Sequence, residues 1–398
     1  MKTIGIIMEC NPFHNGHEYI LTAAKEQFGA DHIVVVMSGD HVQRGEPAIV
    51  DKYLRTASVL RAGADLVLEL PVPFATGSAQ YFARGAVSAL LHTGVVDTLL
   101  FGSECGEISV LREVSQAGSP VISNTKESND NSSRDTLHTG NHIPMSHRLS
   151  PNDLLAVEYL KALEQFNSGL SALTLPRQGS SYHETELKDR YTSASALRKH
   201  FFSDPVLWPE AAACMPAVSY QYMTSYAEEH HFLSWDAYSD LLYYALRKNK
   251  ASGYDRYFDV YEDFSQKIVS RLGEYKNAIS FIASLKSKDI TYSHISRALL
   301  HILLGITKDQ VNTLTSEYEY CSYLRTLGLR KGTTDLLHAI KANSDRPLLS
   351  KLADARTLLS GEVFSLLEQD IFASELYAKI ASKNGGTVSE YRRGLVIL

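Results

Sequence analysis

The sequence predicts an α/β fold in which a parallel sheet is followed by a mostly α-helical C-terminal region. Two observations predict it. In the first hundred residues, short runs rich in Ile, Val and Leu alternate with longer segments whose apolar residues repeat at helical spacing. From about Ser193 onward the helical patterns continue, and we find no convincing strand alternation. Strands joined by helices form right-handed βαβ units, so function is expected at the carboxyl ends of the strands, near the point where strand order reverses.

The individual elements follow from the length and spacing of the apolar runs. In the segment 17–28, Ile20, Leu21, Ala24 and Phe28 share one face, and Gly29 is a natural end for the helix. Strands are expected at residues 3–8, 32–37, 66–70, 98–101 and 173–175. Helices are expected at residues 17–28, 52–61, 79–91, 151–163, 237–246, 258–272, 277–285, 294–304 and 333–342. The polar stretch from about 114 to 150 predicts an exposed, mobile insertion.

Composition excludes several classes of protein. The chain has 398 residues, enough for two or three domains, and its 44% hydrophobic residues include no run long enough to span a membrane. Its N-terminus lacks the basic start and the cleavage site of a signal peptide. The four cysteines lie far apart, which argues against a disulfide framework and a structural zinc site. We therefore expect a cytoplasmic protein in a reducing compartment.

Charge is distributed unevenly along the chain. The net charge of −6 gives no sign of a nucleic-acid partner. Residues 1–189, however, hold 14 basic and 22 acidic side chains, whereas residues 190–398 hold 25 basic and 23 acidic side chains. This asymmetry favours two functional regions, the second of which has enough cations for a basic surface.

The residues most informative about function lie between the first expected strand and the first expected helix, in the run Asn11-Pro12-Phe13-His14-Asn15-Gly16-His17. Asn15 is a good N-cap, and Gly16 permits close approach of a ligand to the backbone. His14 and His17 are spaced to face one anion, and the positive end of the helix dipole points the same way. The pattern predicts a site that binds a triphosphate and stabilises the transition state of an attack on its α-phosphate. The histidines would offset the negative charge of that transition state. The alternative is a pair of surface or structural histidines.

HNGH at this position resembles the HxGH signature of the nucleotidyltransferase superfamily, which is related to the HIGH motif of class I aminoacyl-tRNA synthetases. Longer stretches of the sequence indicate one particular family within this superfamily. ECNPFHNGHEYIL, VVMSGDHVQRGEPAIVDKYLRTASVLRAGADLVLELP, FGSE, PNDLLAVEYLKAL, PRQGSSYHE and SASALR resemble the bacterial tRNA(Met) cytidine acetate ligase family. The likeness is dense over residues 1–105, resumes over 151–200 and is thinner through the C-terminal half.

The resemblance implies a fold and a two-step reaction. The fold is a Rossmann-like nucleotidyltransferase domain at residues 1–200, followed by a helical, tRNA-binding domain at 201–398. First, acetate and ATP form acetyl-adenylate and pyrophosphate, with Mg²⁺ accompanying ATP. The acetyl group then passes to N4 of the wobble cytidine of elongator tRNA(Met), which gives N4-acetylcytidine and AMP. Cationic and N–H donors would offset the repulsion between acetate and triphosphate. We expect no metal-ligating side chains, no membrane and no obligate protein partner.

The nucleotide contacts of the family map onto particular residues of this chain. They are the catalytic pair His14 and His17, with Ile7, Met8, Glu9, Cys10, Asn11, Pro12, Phe13, Asn15, Gly16, Glu18, Tyr19, Ile20, Gly102, Asn152, Arg177, Ser193, Ser195 and Arg198. Asn152 either caps a helix or reads a base or ribose, and Arg177 either clamps a phosphate or is a solvated surface charge. The SASALR segment resembles the element that closes over the β- and γ-phosphates.

Asp40, Arg44 and Lys52, together with Gln43 and Glu46, are second-tier candidates for the mouth of the pocket. Either Arg44 or Lys52 is a candidate to hold acetate or a phosphate, and a structural salt bridge is an equal alternative for each. Cys10 departs from the family pattern, in which that position is usually aromatic. Acyl transfer through an adenylate needs no thiol, so a nucleophilic role for Cys10 is rejected.

Basic clusters in the second half are the candidates for a tRNA-binding surface. They are Arg247, Lys248 and Lys250; Lys286 and Lys288; His294 and Arg297; and Arg325, Arg330 and Lys331, with Tyr292 and Tyr323 nearby for stacking. The alternative for each cluster is a solvated helix face.

Two other functions stay open at this point. One is a conventional nucleotidyltransferase acting on a phosphorylated small molecule, which has no need of the helical half. The other is a non-catalytic RNA-binding protein that uses ATP to set its shape, which has no need of both His14 and His17.

Overall fold

Strands and helices alternate in the first half of the chain, and helices dominate the second. The computed structural model describes residues 1–117, 149–178, 187 and 190–398. The strands are β1 (Thr3–Met8), β2 (His32–Ser38), β3 (His41–Val42), β4 (Glu46–Pro47), β5 (Leu66–Leu70), β6 (Thr98–Ser103), β7 (Ser171–Pro176), β8 (Leu324–Leu329), β9 (Leu348–Leu349) and β10 (Val396–Ile397). The helices are α1 (Asn15–Glu26), α2 (Lys52–Arg61), α3 (Val72–Ala75), α4 (Ala79–Leu91), α5 (Ile108–Gln116), α6 (Pro151–Gln165), α7 (Ala194–Phe201), α8 (Ala217–Glu229), α9 (Ser239–Asn249), α10 (Glu262–Arg271), α11 (Ala278–Leu285), α12 (Tyr292–Leu304), α13 (Lys308–Ser316), α14 (Thr334–Asn343), α15 (Ala355–Leu358) and α16 (Gly361–Ala381).

One mixed sheet of eight strands organises the described residues, in the order β10-β8-β5-β2-β1-β6-β7, with β9 paired to β8. The strands β5, β2, β1, β6 and β7 are all parallel, as the alternation of strands and helices predicted. The predicted Rossmann-like α/β fold is therefore confirmed. Because β1 lies between β2 and β6, strand order reverses at β1, and ligands of such sheets bind beyond the carboxyl ends of the strands at this point.

Helices cover both faces of the sheet. In β2, Ile33 and Val35 pack with residues of α1 on one face, whereas Val34 and Val36 pack with residues of α4 and α6 on the other. All four side chains are fully buried, and each such burial contributes about 1.5–3 kcal/mol. A strand covered on both faces is apolar at every position, which explains the uninterrupted Ile and Val runs of the sequence.

The expectation of no further strand after Ser193 is wrong. β8 pairs antiparallel with β5, with Leu329 opposite Leu66, and β10 pairs parallel with β8. Every residue of β8 is buried, but Arg325, Thr326 and Gly328 break the apolar run by which a fully buried strand is recognised. Residues from the second half therefore complete the sheet of the first, and the domain boundary near residue 200 stays a prediction.

The predicted start of the polar insertion, near residue 114, is wrong. α5 continues to Gln116, and Val114 packs in the core with 6% of its surface exposed. The rest of the expected insertion, residues 118–148, lies outside the described residues. Within the described residues, no helix is long and apolar enough to cross a membrane.

Candidate active site

A cavity of about 230 Å³ lies at the carboxyl ends of β1, β6 and β7. The start of α1, the β3–β4 hairpin, one face of α6 and the start of α7 contribute the rest of its wall. Sixteen of the twenty residues predicted to contact the nucleotide line it: Ile7, Met8, Glu9, Cys10, Asn11, His14, Gly16, His17, Tyr19, Ile20, Gly102, Asn152, Arg177, Ser193, Ser195 and Arg198. The reversal of strand order at β1 thus coincides with the place where these residues meet.

The other four, Pro12, Phe13, Asn15 and Glu18, are not among the residues that line this cavity. Phe13 is 1% exposed, and its ring stacks on that of His17 with the centroids 5.4 Å apart. Asn15 Nδ2 donates to the carbonyl oxygens of Arg190 and Ala213, both at 2.9 Å. Asn15 therefore anchors the turn to a later part of the chain, and the expectation that it caps α1 is wrong.

The N-cap of α1 is His14, and its hydrogen bonds fix the proton positions on both histidines. Nδ1 of His14 accepts from the backbone N–H of Gly16 at 3.0 Å, and Nδ1 of His17 accepts from the backbone N–H of His14 at 3.2 Å. The neutral form of each ring must therefore carry its proton on Nε2. The ring centroids are 3.9 Å apart. The turn thus presents two imidazole N–H donors side by side at the positive end of α1.

These histidines are neutral donors, because their surroundings disfavour a second proton. Burial, His17, Arg177 and Arg198 together hold the pKa of His14 well below its usual value. Burial and Arg177 lower the pKa of His17 to about 3. Positive charge at the cavity comes instead from arginine.

Two arginines line the cavity, Arg198 on α7 and Arg177 just after β7. Arg198 Nη1 donates to the carbonyl oxygen of Asn11 at 2.7 Å, and its Nη2 lies 3.3 Å from Glu46 Oε1. Arg177 Nε lies 3.7 Å from Glu104 Oε1. Both guanidinium groups are therefore held by protein acceptors at the wall, in positions suited to an anionic ligand.

Asn152 lies at the start of α6 beside the same acidic residue. Its Nδ2 donates to Glu104 Oε1 at 2.5 Å. Ser150 is the N-cap of α6, since its hydroxyl accepts from the backbone N–H of Asp153 at 3.2 Å. The alternative that Asn152 caps the helix is therefore excluded, and its side chain lines the cavity.

The second-tier candidates separate into two groups. Arg44, Gln43 and Glu46 line the cavity through the β3–β4 hairpin. Asp40 and Lys52 do not: Asp40 Oδ1 accepts the backbone N–H of Lys52 at 2.7 Å, and both residues are buried. The structural salt-bridge alternative therefore applies to Lys52.

Lys52 belongs to a buried ion network behind the cavity. Its Nζ lies 2.8 Å from Glu69 Oε1, 2.9 Å from Glu390 Oε2 and 2.7 Å from Ser374 Oγ. Arg325 completes the network at 2.8 Å from Glu69 and 2.5 Å from Glu390. Burial and Arg325 disfavour the charged form of Lys52, but Glu69 and Glu390 outweigh them and raise its pKa above the usual value.

Sequence reasoning missed several cavity residues, among them Tyr159, Gln178 and Tyr191. Tyr159 is 4% exposed and lies seven positions after Asn152 on α6. Residues seven apart share a face of a helix, so this spacing was a usable signal. Cys10 is fully buried, and burial raises the pKa of its thiol, which agrees with the rejection of a nucleophilic role.

The candidate tRNA contacts differ in exposure. Arg247 and Lys248 are exposed on α9, and Lys331 is exposed after β8. Arg297 Nε lies 3.0 Å from Asp259, and Arg330 forms an ion pair with Asp65.

Two of the candidates are buried. Arg325 is 4% exposed within the ion network, and Tyr323, 3% exposed, donates to Asp370. The expected surface positions of Arg325 and Tyr323 are therefore wrong.

Comparison of the sequence with known proteins shows the family of this chain. The model of the HIGH Nucleotidyl Transferase family matches residues 1–390. A tRNA(Met) cytidine acetate ligase of Thermoanaerobacter sp. (strain X514) is 35% identical over 408 residues, which cover 96% of each chain. One of Clostridium perfringens (strain ATCC 13124) is 34% identical over 402 residues, which cover 95% of each. The chain belongs to the tRNA(Met) cytidine acetate ligase family.

Solved structures of this ligase family agree in fold. The crystal structure of Thermotoga maritima TmcAL in its apo form matches with a TM-score of 0.86 and 26% identity, over 100% of both chains. The structure of the same protein bound with alpha-thio ATP matches with a TM-score of 0.84 and 25% identity, again over 100% of both chains. The resemblance inferred from the HNGH turn and its flanking segments is confirmed.

Proposed function

We propose that this protein is an ATP-dependent ligase that acetylates the wobble cytidine of elongator tRNA(Met) at N4, through acetyl-adenylate. The observation that carries the proposal is the pair of neutral imidazole N–H donors, held by backbone hydrogen bonds at the start of α1 and flanked by Arg177 and Arg198. The relatives named tRNA(Met) cytidine acetate ligase support the acceptor, and the structure bound with alpha-thio ATP supports the nucleotide.

In the first step, a carboxylate oxygen of acetate attacks the α-phosphate and pyrophosphate leaves. Negative charge develops on the oxygens of that phosphate in the transition state. The Nε2–H groups of His14 and His17 and the guanidinium of Arg177 or Arg198 stabilise this charge, since they are positioned before the ligand arrives. Because Nδ1 of each neutral imidazole accepts a backbone N–H and Nε2 carries the proton, both rings act as hydrogen-bond donors and have no free lone pair with which to act as a base.

Mg²⁺ is proposed to accompany ATP. Within the described residues, no group of three or more His, Cys, Asp and Glu side chains is arranged to hold a metal ion. The ion would therefore be held chiefly by the phosphates, which is a common arrangement for Mg²⁺. A location in the cytosol, where the proposed acceptor is found, is part of the same proposal.

The test is exchange of labelled pyrophosphate into ATP, measured with and without acetate, with Mg²⁺, and with and without bulk tRNA. Exchange that requires acetate is the expected result. A conventional nucleotidyltransferase would instead respond to a phosphorylated small molecule, and a non-catalytic RNA-binding protein would give no exchange at all. Either of these results would overturn the proposal.

A further inference from the structure

Acetyl transfer to an amine requires a group that removes a proton, and the two histidines do not provide it. When the lone pair of the cytidine N4 attacks the acyl carbon, the new C–N bond leaves an excess proton on nitrogen. His14 and His17 carry protons on Nε2, and their Nδ1 atoms are occupied by backbone N–H groups. Neither histidine therefore has a free lone pair with which to accept this proton.

Carboxylates are the natural candidates, because an N4 amino group donates hydrogen bonds and a carboxylate accepts them. Within the described residues, two carboxylates line the cavity, Glu9 and Glu46. Glu46 is already engaged, because its Oε1 lies 3.3 Å from Arg198 Nη2 in an ion pair between the hairpin and α7. Glu9 has no ion-pair partner within 4.0 Å among the described residues, and it follows β1 directly, five positions before His14.

Glu9 is also held in one orientation. Its Oε1 accepts the backbone N–H of Gln43 at 2.6 Å, which ties the end of β1 to the β3–β4 hairpin. One oxygen is thereby anchored, and Oε2 is left for a ligand. The backbone of the same residue is fixed too, since Arg55 Nη1 donates to the Glu9 carbonyl oxygen at 2.8 Å.

We infer that Glu9 is the general base of the acetyl-transfer step, an inference that rests on the proposed function. Oε2 accepts a hydrogen bond from N4 and orients the amine toward the acyl carbon of acetyl-adenylate. The N4 lone pair forms the C–N bond, the bond between that carbon and the phosphate oxygen breaks, and AMP leaves with its electron pair. The N4 proton moves to Glu9, which then releases it to water.

The groups that face Glu9 tune its basicity in both directions. Burial raises the pKa of Glu9, and the neighbouring Glu46 raises it further, whereas the Gln43 backbone N–H, Arg44 and Arg198 lower it. The net result is a pKa above the ordinary value, which makes Glu9 a stronger base than a solvated carboxylate. Tyr159 also lines the cavity, and burial, together with the charge of Glu9, raises the pKa of its hydroxyl.

The experiment bypasses adenylation by supplying synthetic acetyl-adenylate to Glu9→Gln. Gln keeps an oxygen that can accept the Gln43 N–H but cannot take a proton. Single-turnover acetylation of tRNA(Met) is expected to fall about 10²–10⁴-fold, the usual contribution of a general base. Glu9→Asp, which keeps the carboxylate, is expected to recover part of that loss. Transfer by Glu9→Gln at the wild-type rate would overturn the inference.

A second acceptor separates proton removal from positioning. Hydroxylamine attacks acyl groups without help from a base, so Glu9→Gln is expected to transfer acetyl to hydroxylamine at a rate much closer to that of wild type. Equal losses with hydroxylamine and tRNA would mean that Glu9 only positions the adenylate, which overturns the inference. Glu46→Gln is the matched variant, and it is expected to lower both rates in the same proportion.

The pH profile gives an independent readout. Transfer to tRNA by the wild type is expected to fall as the pH drops through the raised pKa of Glu9, and Glu9→Gln is expected to lack this limb. Wild-type protein that shows neither acetate-dependent exchange nor transfer from supplied acetyl-adenylate would overturn the proposed function itself. That outcome is distinguishable from an active wild type with an unaffected Glu9→Gln variant, which overturns only the role of Glu9.

Discussion

Nδ1 of His17 accepts a hydrogen bond from the backbone N–H of His14 at 3.2 Å. One histidine thus orients the ring of the other, and both Nε2–H groups are in place before a nucleotide binds. Because preorganised donors need not reorient when the transition state forms, no free energy is lost in aligning them. A single such donor can therefore account for a large part of the rate enhancement.

Replacing His17 by Ala is therefore expected to lower acetate-dependent pyrophosphate exchange by about 10²–10³-fold, the usual cost of removing one preorganised donor. The residue lies at the surface of the cavity, so the fold should persist, with an unchanged circular dichroism spectrum. His338→Ala, at an exposed position of α14, is the control and should exchange at the wild-type rate. Normal exchange by the His17 variant would contradict the assigned role.

The lowered pKa of His17 makes the folded state sensitive to acid. An unfolded histidine has a pKa of about 6.5, whereas His17 in the folded protein has a pKa of about 3. Between these values the unfolded chain binds the extra proton, so the free energy of unfolding falls as the pH is lowered from about 6.5 to about 3. The effect of one such histidine is at most about 1.4 kcal/mol per pH unit.

The expected outcome is that His17→Asn loses less unfolding free energy than the wild type between pH 7 and pH 5, because Asn does not titrate. Asn also retains an oxygen that can accept the His14 N–H. Urea unfolding at a series of pH values measures the difference. Parallel pH dependence in the two proteins would mean that His17 has an ordinary pKa.

The elements that could be predicted from sequence are those whose signals are local. α2 and α4 begin and end where the spacing of apolar residues placed them, and HNGH located the cavity because a strand end and a helix start coincide there. β8 carried no such signal, since Arg325, Thr326 and Gly328 interrupt its apolar residues although the whole strand is buried. The hydrogen bonds that make His14 the N-cap depend on ring orientation, which spacing does not reveal.

Ion pairs between distant segments were equally invisible in the sequence. The sequence left Lys52 as either an anion contact or a salt-bridge residue and made Arg325 a candidate tRNA contact, because it does not show that Glu69 and Glu390 are their partners. The antiparallel pairing of β8 with β5 places Arg325 opposite Glu69, while Lys52 comes from the start of α2 and Glu390 from a turn near the C-terminus. A charged residue near a motif is therefore weak evidence for a role in binding until its partners are known.

The buried ion network predicts a large loss of stability for Lys52→Met. The substitution removes the cation between Glu69 and Glu390 and leaves their charges partly unpaired in a buried site. Breaking a buried ion pair from one side costs about 3–5 kcal/mol of unfolding free energy. Lys286→Met, at an exposed position, is the control and should cost less than about 0.5 kcal/mol. Denaturant unfolding that gives similar values for both variants would show that the network contributes little.

Substitution of Arg177 tests whether this residue contributes to the binding of an anionic ligand in the cavity. Its side chain is 39% exposed and its guanidinium lies beside Glu104, so it can turn toward a phosphate at little structural cost. Arg177→Ala is expected to weaken ATP binding by about tenfold or more, the value of one charge-assisted hydrogen bond. Arg112→Ala, exposed on α5, is the matched control. Isothermal titration calorimetry with a non-hydrolysable ATP analogue measures the affinity of each variant. Equal affinities of the two variants would show that Arg177 does not contact the nucleotide.

The exposed end of α9 is the part of the candidate tRNA surface that combines charge with a ring. Lys248 Nζ lies 5.9 Å from the centre of the Tyr244 ring, which is 64% exposed, and Arg247 is exposed beside it. Phosphate contacts by two cations and stacking on one ring suit a single-stranded loop of RNA.

The double variant R247E/K248E is accordingly expected to bind tRNA(Met) at least about tenfold more weakly than the wild type. Its affinity should also depend less on salt, with the slope of log K against log salt concentration reduced by about one for each phosphate that the protein no longer neutralises. K308E/K341E makes the same change of net charge at exposed positions elsewhere, which separates a local interaction from a general electrostatic effect. If both double variants bind tRNA equally weakly, long-range charge alone accounts for the effect, and α9 is not part of the tRNA-binding surface.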